Sequence, residues 1–357
     1  MEMALRLAEK ARGRTSPNPL VGAVLVKDGR IVGTGFHQKA GFPHAEVEAL
    51  GEAGAQARGA HLYLNLEPCS HTGRTPPCCD ALIKAGIKKV TAAMEDPNPL
   101  VSGKGLEKLR RAGIEVETGL LEKEARRLNE IFIKFITTRR PFVILKSAAS
   151  LDGKIALAGG HSQWITGEES RRRVHEIRDE VDAILVGVNT VLRDDPRLTA
   201  RIEGRETKNP ARVILDSSLR LPENARALLD ADKTKIFVAA LKKADKEKVR
   251  RLEDRGITVL FPGEKEGEID LFALMGLLGE REITSVLVEG GSRVNASVLS
   301  SGIADKAIFF FAPKIIGGVD SLPMFGREGV KALDQAVRLK DMEISRTGED
   351  IMVVGYL

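Results

Sequence analysis

A chain of 357 residues exceeds the ~100–200 residues of an ordinary domain, so two cores are expected. With 43% apolar and 29% charged residues it reads as neither a disordered polymer nor a membrane protein, because no apolar run approaches the ~18 residues of a span. The net charge of +5 sits at the front, where residues 1–140 hold 22 Lys+Arg against 16 Asp+Glu and the remainder 33 against 34. With Phe 12, Tyr 2 and Trp 1 there is little material for stacking single-stranded bases, so no nucleic-acid partner is expected. Met1–Arg14 is charged from the start, unlike a signal peptide, and the protein is expected in the cytoplasm.

Apolar residues at helical spacing predict a helix over Glu2–Arg14, and Leu20–Val26 with Ile31–Gly35 predict a hairpin around Lys27-Asp28-Gly29-Arg30. A helix from His44 to about Ala53, a strand at His61–Leu66, a helix at Pro77–Ala85 and a strand at Lys89–Met94 follow, then a helix at Leu121–Ile136. Thr137–Pro141 breaks the pattern before the apolar strand Phe142–Leu145, which sets the domains at 1–140 and 141–357. Beyond it, strands near 181–187, 211–215, 234–240, 257–261 and 283–288 alternate with helical stretches at 168–178, 245–255 and 291–301. Strands near 305–311 and 351–356 close the chain, which predicts a mostly parallel sheet with an antiparallel edge.

All three cysteines, Cys69, Cys78 and Cys79, fall within eleven residues, a spacing that reads as metal or catalysis before disulfide. His44 and Cys78 open predicted helices, where unpaired N–H groups favour thiolates. One His and two Cys make a three-ligand zinc site with the fourth place left to water, and Glu46, two residues past His44, can move that water's proton. This is the H-x-E and P-C-x-x-C pattern of zinc nucleobase deaminases, with eight residues instead of two between the cysteines. Cys79 as a fourth, structural ligand is the competing reading, disfavoured because adjacent cysteines seldom chelate one metal.

Thr15–Gly22, His44-Ala45-Glu46, Glu67–Cys78 and Asp96-Pro97-Asn98-Pro99 closely resemble the deaminase half of bifunctional riboflavin-biosynthesis deaminase/reductases. The resemblance implies a cytidine-deaminase-like three-layer α/β fold, one Zn2+ per chain, and hydrolytic deamination of a 2,5-diaminopyrimidinone carrying a phosphoribosylamino group. It implies that Asn18 hydrogen-bonds the pyrimidine and that Asp96 and Asn98 contact base or ribose. His71 and Arg74, in the insert between the cysteines, would put cationic donors beside a phosphate.

The second half lacks G-x-G-x-x-G after any predicted strand, so a Rossmann site is unsupported. Val286–Ser292 instead runs from a buried-type strand through Gly290 and Gly291 into a helix, whose N-terminus offers N–H donors to a phosphate. Leu145–Lys154, Ser162–Thr166 and Val186–Thr199 are similar to the reductase half of the same family, which implies a dihydrofolate-reductase-like fold and NADPH. Lys146 could protonate or polarise the opening sugar, or be an exposed strand-end lysine; Glu289 could bind ribose hydroxyls or cap a helix. The resemblance implies that Ala148, Trp164, Thr190, Asp194, Gly291, Ser292, Arg293, Val294, Asn295, Ala296 and Ser297 line the NADPH site. Ser162, Arg178, Leu198, Arg201 and Glu289 would then face the substrate. Trp164 also fits a core position.

Two rivals remain open: a nucleic-acid base deaminase with an unrelated appendage, and a zinc-stabilised scaffold that senses a dinucleotide. The first leaves the second set of motifs unexplained, and the second has no use for Glu46. A two-site enzyme acting on a small phosphorylated pyrimidine, as a dimer or tetramer, is the expectation.

Overall fold

The structure is a computed structural model that describes residues 1–70, 77–99, 101–327 and 329–357, and the chain falls into two units, Met1–Arg139 and Arg140–Leu357.

In the first unit, α1 (Glu2–Glu9) leads to β1 (Gly22–Lys27), β2 (Arg30–Phe36), α2 (Ala45–Ala53), β3 (His61–Leu64), α3 (Cys78–Ala85), β4 (Lys89–Ala92), α4 (Lys104–Arg111), β5 (Glu115–Thr118), α5 (Glu122–Leu128) and α6 (Glu130–Thr138). The sheet order is β2-β1-β3-β4-β5, with β1 antiparallel to both neighbours and β3, β4 and β5 parallel. Side chains alternate across β1: Ala23 and Leu25 pack with Ala45, Ala49, Leu82 and Leu109 of α2, α3 and α4, while Val24 packs with Ala4 and Leu7 of α1. The result is the three-layer cytidine-deaminase-like arrangement. A Cβ at Gly33 or Gly35 would lie 2.3 Å from the carbonyl oxygen of Ala49 or Ala45, so only glycine lets α2 sit so close to β2.

Two elements of this unit escape a reading by periodicity. Helix α4 buries Leu106 and Leu109 within an otherwise highly charged segment, and β5 offers a single apolar residue, Val116. The helix expected over 121–136 is two helices. Buried Asn129 stands between α5 and α6, and its side chain accepts the Leu20 N–H (2.8 Å) and donates to the Leu20 carbonyl (3.0 Å).

The second unit contains β6 (Phe142–Ser150), β7 (Lys154–Ala156), α7 (Glu168–Glu180), β8 (Ala183–Gly187), α8 (Val188–Asp194), β9 (Ala211–Leu215), β10 (Ile236–Ala239), α9 (Lys246–Glu253) and β11 (Thr258–Leu260). It continues with β12 (Glu264–Lys265), β13 (Glu268–Ile269), α10 (Leu271–Gly279), β14 (Ser285–Val288), α11 (Ser292–Ser300), β15 (Lys306–Ala312), β16 (Leu322–Pro323), β17 (Lys340–Thr347) and β18 (Asp350–Tyr356). The main sheet runs β11-β10-β9-β8-β14-β6-β15-β18-β17, parallel as far as β15 and antiparallel at the last two strands, a dihydrofolate-reductase-like layout. Leu185, Val213 and Val286 pack with Leu274, Met275 and Leu278 of α10 on one face, and Ile184, Ile214 and Val238 pack with Val191 and Leu252 of α8 and α9 on the other.

Three expectations change here. Strand β6 extends to Ser150 because β15 pairs with it from Ile144 to Ser150, so Lys146 is mid-strand and largely buried instead of an exposed strand end. Trp164 is 65% exposed and is no core residue. The Leu198 side chain is buried in the α8–α9 face of the core, so the backbone, not that side chain, is what Leu198 could offer a substrate.

Candidate active sites

In the first unit, α2 and α3 begin where the metal pattern requires them to. His44 is the N-cap of α2 in extended backbone, and Cys78 is the first residue of α3. The His44 Nδ1 lies 3.1 Å from the Cys78 Sγ and 3.7 Å from the Cys69 Sγ, and the three donor atoms fall within 4.8 Å of one another. Ligand bonds of about 2.0–2.3 Å in a tetrahedron need such separations, so the trio fits zinc. The Cys78 thiol hydrogen bond drives the Cys69 thiol down to about 4, burial opposing and His44 and the Cys78 N–H (3.2 Å) helping. As donor of that bond, Cys78 is pushed up. Zinc, when bound, would be held by the two sulfurs and His44 in place of the proton the sulfurs share.

Glu46 is 3% exposed in the first turn of α2, and burial pushes its carboxyl up, as suits a group that takes and returns a proton. Cys79 points elsewhere. Its thiol donates to the carbonyls of Pro68 (3.4 Å) and Gly105 (3.5 Å), and burial pushes it up to about 12.

Asn18 is carried on a stretch tied down by buried Asn65, which accepts the Gly22 N–H (2.7 Å) and donates to the Leu20 carbonyl (2.8 Å). Its Nδ2 meets the His37 Nε2 at 3.1 Å. The Pro43 carbonyl, 3.1 Å from the His37 Nδ1, can only accept, so the His37 proton sits on Nδ1 and Nε2 accepts from Asn18. The other end of the Asn18 amide is then an acceptor. His37 packs edge-on against His44 and escaped the motif reading, a lone buried histidine having no spacing signature. Asp96 and Asn98 are half-buried; the Asp96 Oδ1 accepts the Asn98 N–H at 2.8 Å, and the Asp96 N–H donates to Glu67. His71 and Arg74 lie outside the described residues.

In the second unit, the register of β14 on β6 sets Val288 opposite Leu145, which brings Glu289 beside Lys146 at the carboxyl end of β14. The Lys146 Nζ is 3.6 Å from the Glu289 Oε2, and Arg178 donates from Nε and its terminal nitrogen to the two carboxylate oxygens at 2.6 and 3.0 Å. Burial works to raise the Glu289 carboxyl, but Arg178 and Lys146 outweigh it and hold it at about 2. Burial also lowers Lys146. Arg178 and Arg201 converge on Thr199, the first donating to its carbonyl (3.1 Å) and the second to its hydroxyl (2.6 Å).

Helix α11 starts immediately after Glu289-Gly290-Gly291, so Ser292 to Ser297 form its first turns. Gly290 is the tight glycine of the pair, since a Cβ there would lie 2.5 Å from Val294, whereas one at Gly291 meets nothing within 4 Å among the described residues. Ala148 lies two residues beyond Lys146 on β6, while Thr190 and Asp194 lie on α8, directly after β8. Ser162 precedes Trp164, whose ring lies 4.7 Å from the Arg171 guanidinium.

Two family models match this chain: the cytidine and deoxycytidylate deaminase zinc-binding region over residues 1–94, and the RibD C-terminal domain over residues 141–353. A zinc-binding deaminase region joined to a reductase makes this a bifunctional enzyme. The riboflavin biosynthesis protein RibD of Aquifex aeolicus is 48% identical over 353 residues, spanning 99% of this chain and 96% of that protein. Form 1 of Acinetobacter baumannii RibD matches with a TM-score of 0.90 at 39% identity, covering 99% of this chain and 97% of that one. The diaminohydroxyphosphoribosylaminopyrimidine deaminase/5-amino-6-(5-phosphoribosylamino)uracil reductase of Thermotoga maritima matches at 0.88 and 40% identity, over 100% and 97%. The chain belongs to the RibD family of riboflavin biosynthesis proteins, and it is a deaminase and reductase of that pathway.

Proposed function

We propose that residues 1–140 deaminate a 2,5-diaminopyrimidinone bearing a phosphoribosylamino group, releasing ammonia, and that residues 141–357 then reduce the ribosyl group of the product to ribityl. The observation that carries this reading is the convergence of His44, Cys69 and Cys78 with buried Glu46 beside them. Zn2+, when bound, supplies the Lewis acidity that makes water reactive at neutral pH. Glu46 accepts the proton of that water and delivers it to the departing amine. Asn18 accepts from the pyrimidine, Asp96 and Asn98 hold base and ribose, and His71 and Arg74 bind the phosphate.

In the reductase, NADPH supplies the hydride when bound. Ala148, Trp164, Thr190, Asp194 and the residues from Gly291 to Ser297 hold it, the helix start meeting its phosphates. Lys146 gives a proton to the sugar oxygen as the ring opens. Glu289 orients Lys146 and accepts from ribose hydroxyls, while Arg178, Arg201, Ser162 and the Leu198 backbone receive the rest of the substrate. On this reading the enzyme is a cytoplasmic dimer or tetramer, the oligomeric state being accessible to sedimentation.

The test is incubation of the zinc-loaded chain with the diaminopyrimidinone nucleotide, with and without NADPH. Ammonia should appear in both, and NADPH absorbance should fall only where deaminated product forms. NADPH oxidation without ammonia release, or no ammonia from zinc-loaded protein, would overturn the reading.

A further inference from the structure

Glu67 is 4% exposed and stands two residues before Cys69. Its carboxylate accepts four backbone N–H groups: Asp96 and Gly103 donate to Oε2, both at 2.9 Å, and Gly105 and Leu106 donate to Oε1 at 2.7 and 3.3 Å. Gly105 and Leu106 lie in the first turn of α4, whose amides have no partner within the helix, so one oxygen caps α4 from 38 residues away. The other oxygen does what a helix cap has no need to do. It reaches back to Asp96, whose own side chain accepts the Asn98 N–H. The contact is closed tightly: a Cβ at Gly105 would lie 2.1 Å from the Pro68 carbonyl oxygen, and the Cys79 thiol bridges the Pro68 and Gly105 carbonyls.

We propose that Glu67 is a positioning residue of the deamination site, holding the backbone that carries Asp96 and Asn98 against the segment that carries Cys69, and so acting on substrate binding through those two residues. This rests on the reading of Asp96 and Asn98 as substrate contacts. The carboxylate is specific to the task, since it has acceptors on both oxygens and each faces two N–H donors. A glutamine, whichever way its amide turns, sets an NH2 group against two of those donors.

The experiment compares the zinc-loaded full chain with Glu67→Gln, Asp96→Ala and the double variant. Expected for Glu67→Gln are one zinc per chain, reduction of pre-formed deaminated nucleotide within about twofold of the parent, and a deamination KM raised about tenfold or more with a smaller change in kcat. Asp96→Ala should raise KM too, and the double variant should be no worse than the worse single one, as residues acting through one another are not additive. An unchanged KM in Glu67→Gln, zinc loss accounting for its lost activity, or losses that multiply in the double variant would each overturn the proposal. A raised KM in Glu67→Gln with a parental KM in Asp96→Ala would sink the substrate role of Asp96, and with it the route proposed for Glu67. A raised KM in Asp96→Ala alone would sink Glu67 and leave that role standing. Should Glu67→Gln be insoluble, Glu67→Asp, which keeps the charge but shortens the reach, decides in its place: a raised KM supports the proposal and a parental one refutes it.

Discussion

The Lys146 ammonium lies 3.6 Å from the same Glu289 oxygen that accepts from Arg178 at 3.0 Å, so one largely buried carboxylate faces two largely buried cations. Arg201 is joined to Arg178 through Thr199, which sets a third cationic side chain next to the pair.

Lys146→Met keeps the buried stem and the Glu289–Arg178 pair while removing the proton. Reduction of the deaminated nucleotide should fall by about 10²-fold or more in single-turnover NADPH oxidation, with deamination unaffected. Glu289→Gln should instead leave two largely buried cations without their counter-charge, and calorimetry should show the second unit destabilised by about 3–5 kcal/mol.

Glu46→Gln is nearly isosteric and cannot shuttle a proton. Elemental analysis should find zinc retained, while ammonia release drops by about 10²–10⁴-fold and reduction of pre-formed product continues. Retained deamination would remove Glu46 from the chemistry.

The two neighbouring thiols should separate cleanly. Cys69→Ala should lose the metal, whereas Cys79→Ala, which removes a buried thiol hydrogen-bonded to the Pro68 and Gly105 carbonyls, should keep it and cost roughly 1–2 kcal/mol of stability. Equal metal loss in both would show the ligand set to be wrong.

At the start of α11 the two glycines should differ in what they report. Gly290→Ala drives a methyl into Val294 and should cost about 1–3 kcal/mol in thermal unfolding. Gly291→Ala meets no described residue within 4 Å, so its main effect should be weaker NADPH binding, read by calorimetric titration.

His175 should make the second unit acid-sensitive. Burial, then the charges of Arg178 and Arg201, lower its pKa to about 4, and its Nδ1 accepts the Arg201 N–H at 3.2 Å. Between about pH 6.5 and pH 4 the unfolded chain binds a proton that the folded chain refuses, so stability falls as pH falls through that window, by about 2 kcal/mol after allowance for partial exposure. His175→Gln should flatten the dependence in unfolding scans; an unchanged slope would assign it to another group.

Residue chemistry alone singled out His44, Cys69 and Cys78, which the fold brings together, and Glu46, because a metal tolerates few side-chain types and helix starts are written in local sequence. The strand-Gly-Gly-helix turn after Val288 was legible for the same reason, as were most strands of both sheets, whose apolar runs carry their own signal. Tertiary structure decided the rest. Helix α4 has too narrow an apolar stripe to announce itself and is held by Glu67 from 38 residues away. Glu289 and Arg178, 111 residues apart, meet only through the packing and strand register of the second sheet. Lys146 is largely buried because β15 extends β6 beyond it. In each case the deciding energy is a hydrogen bond or ion pair between distant segments, whose existence depends on strand order and register, and no local pattern of residues encodes either.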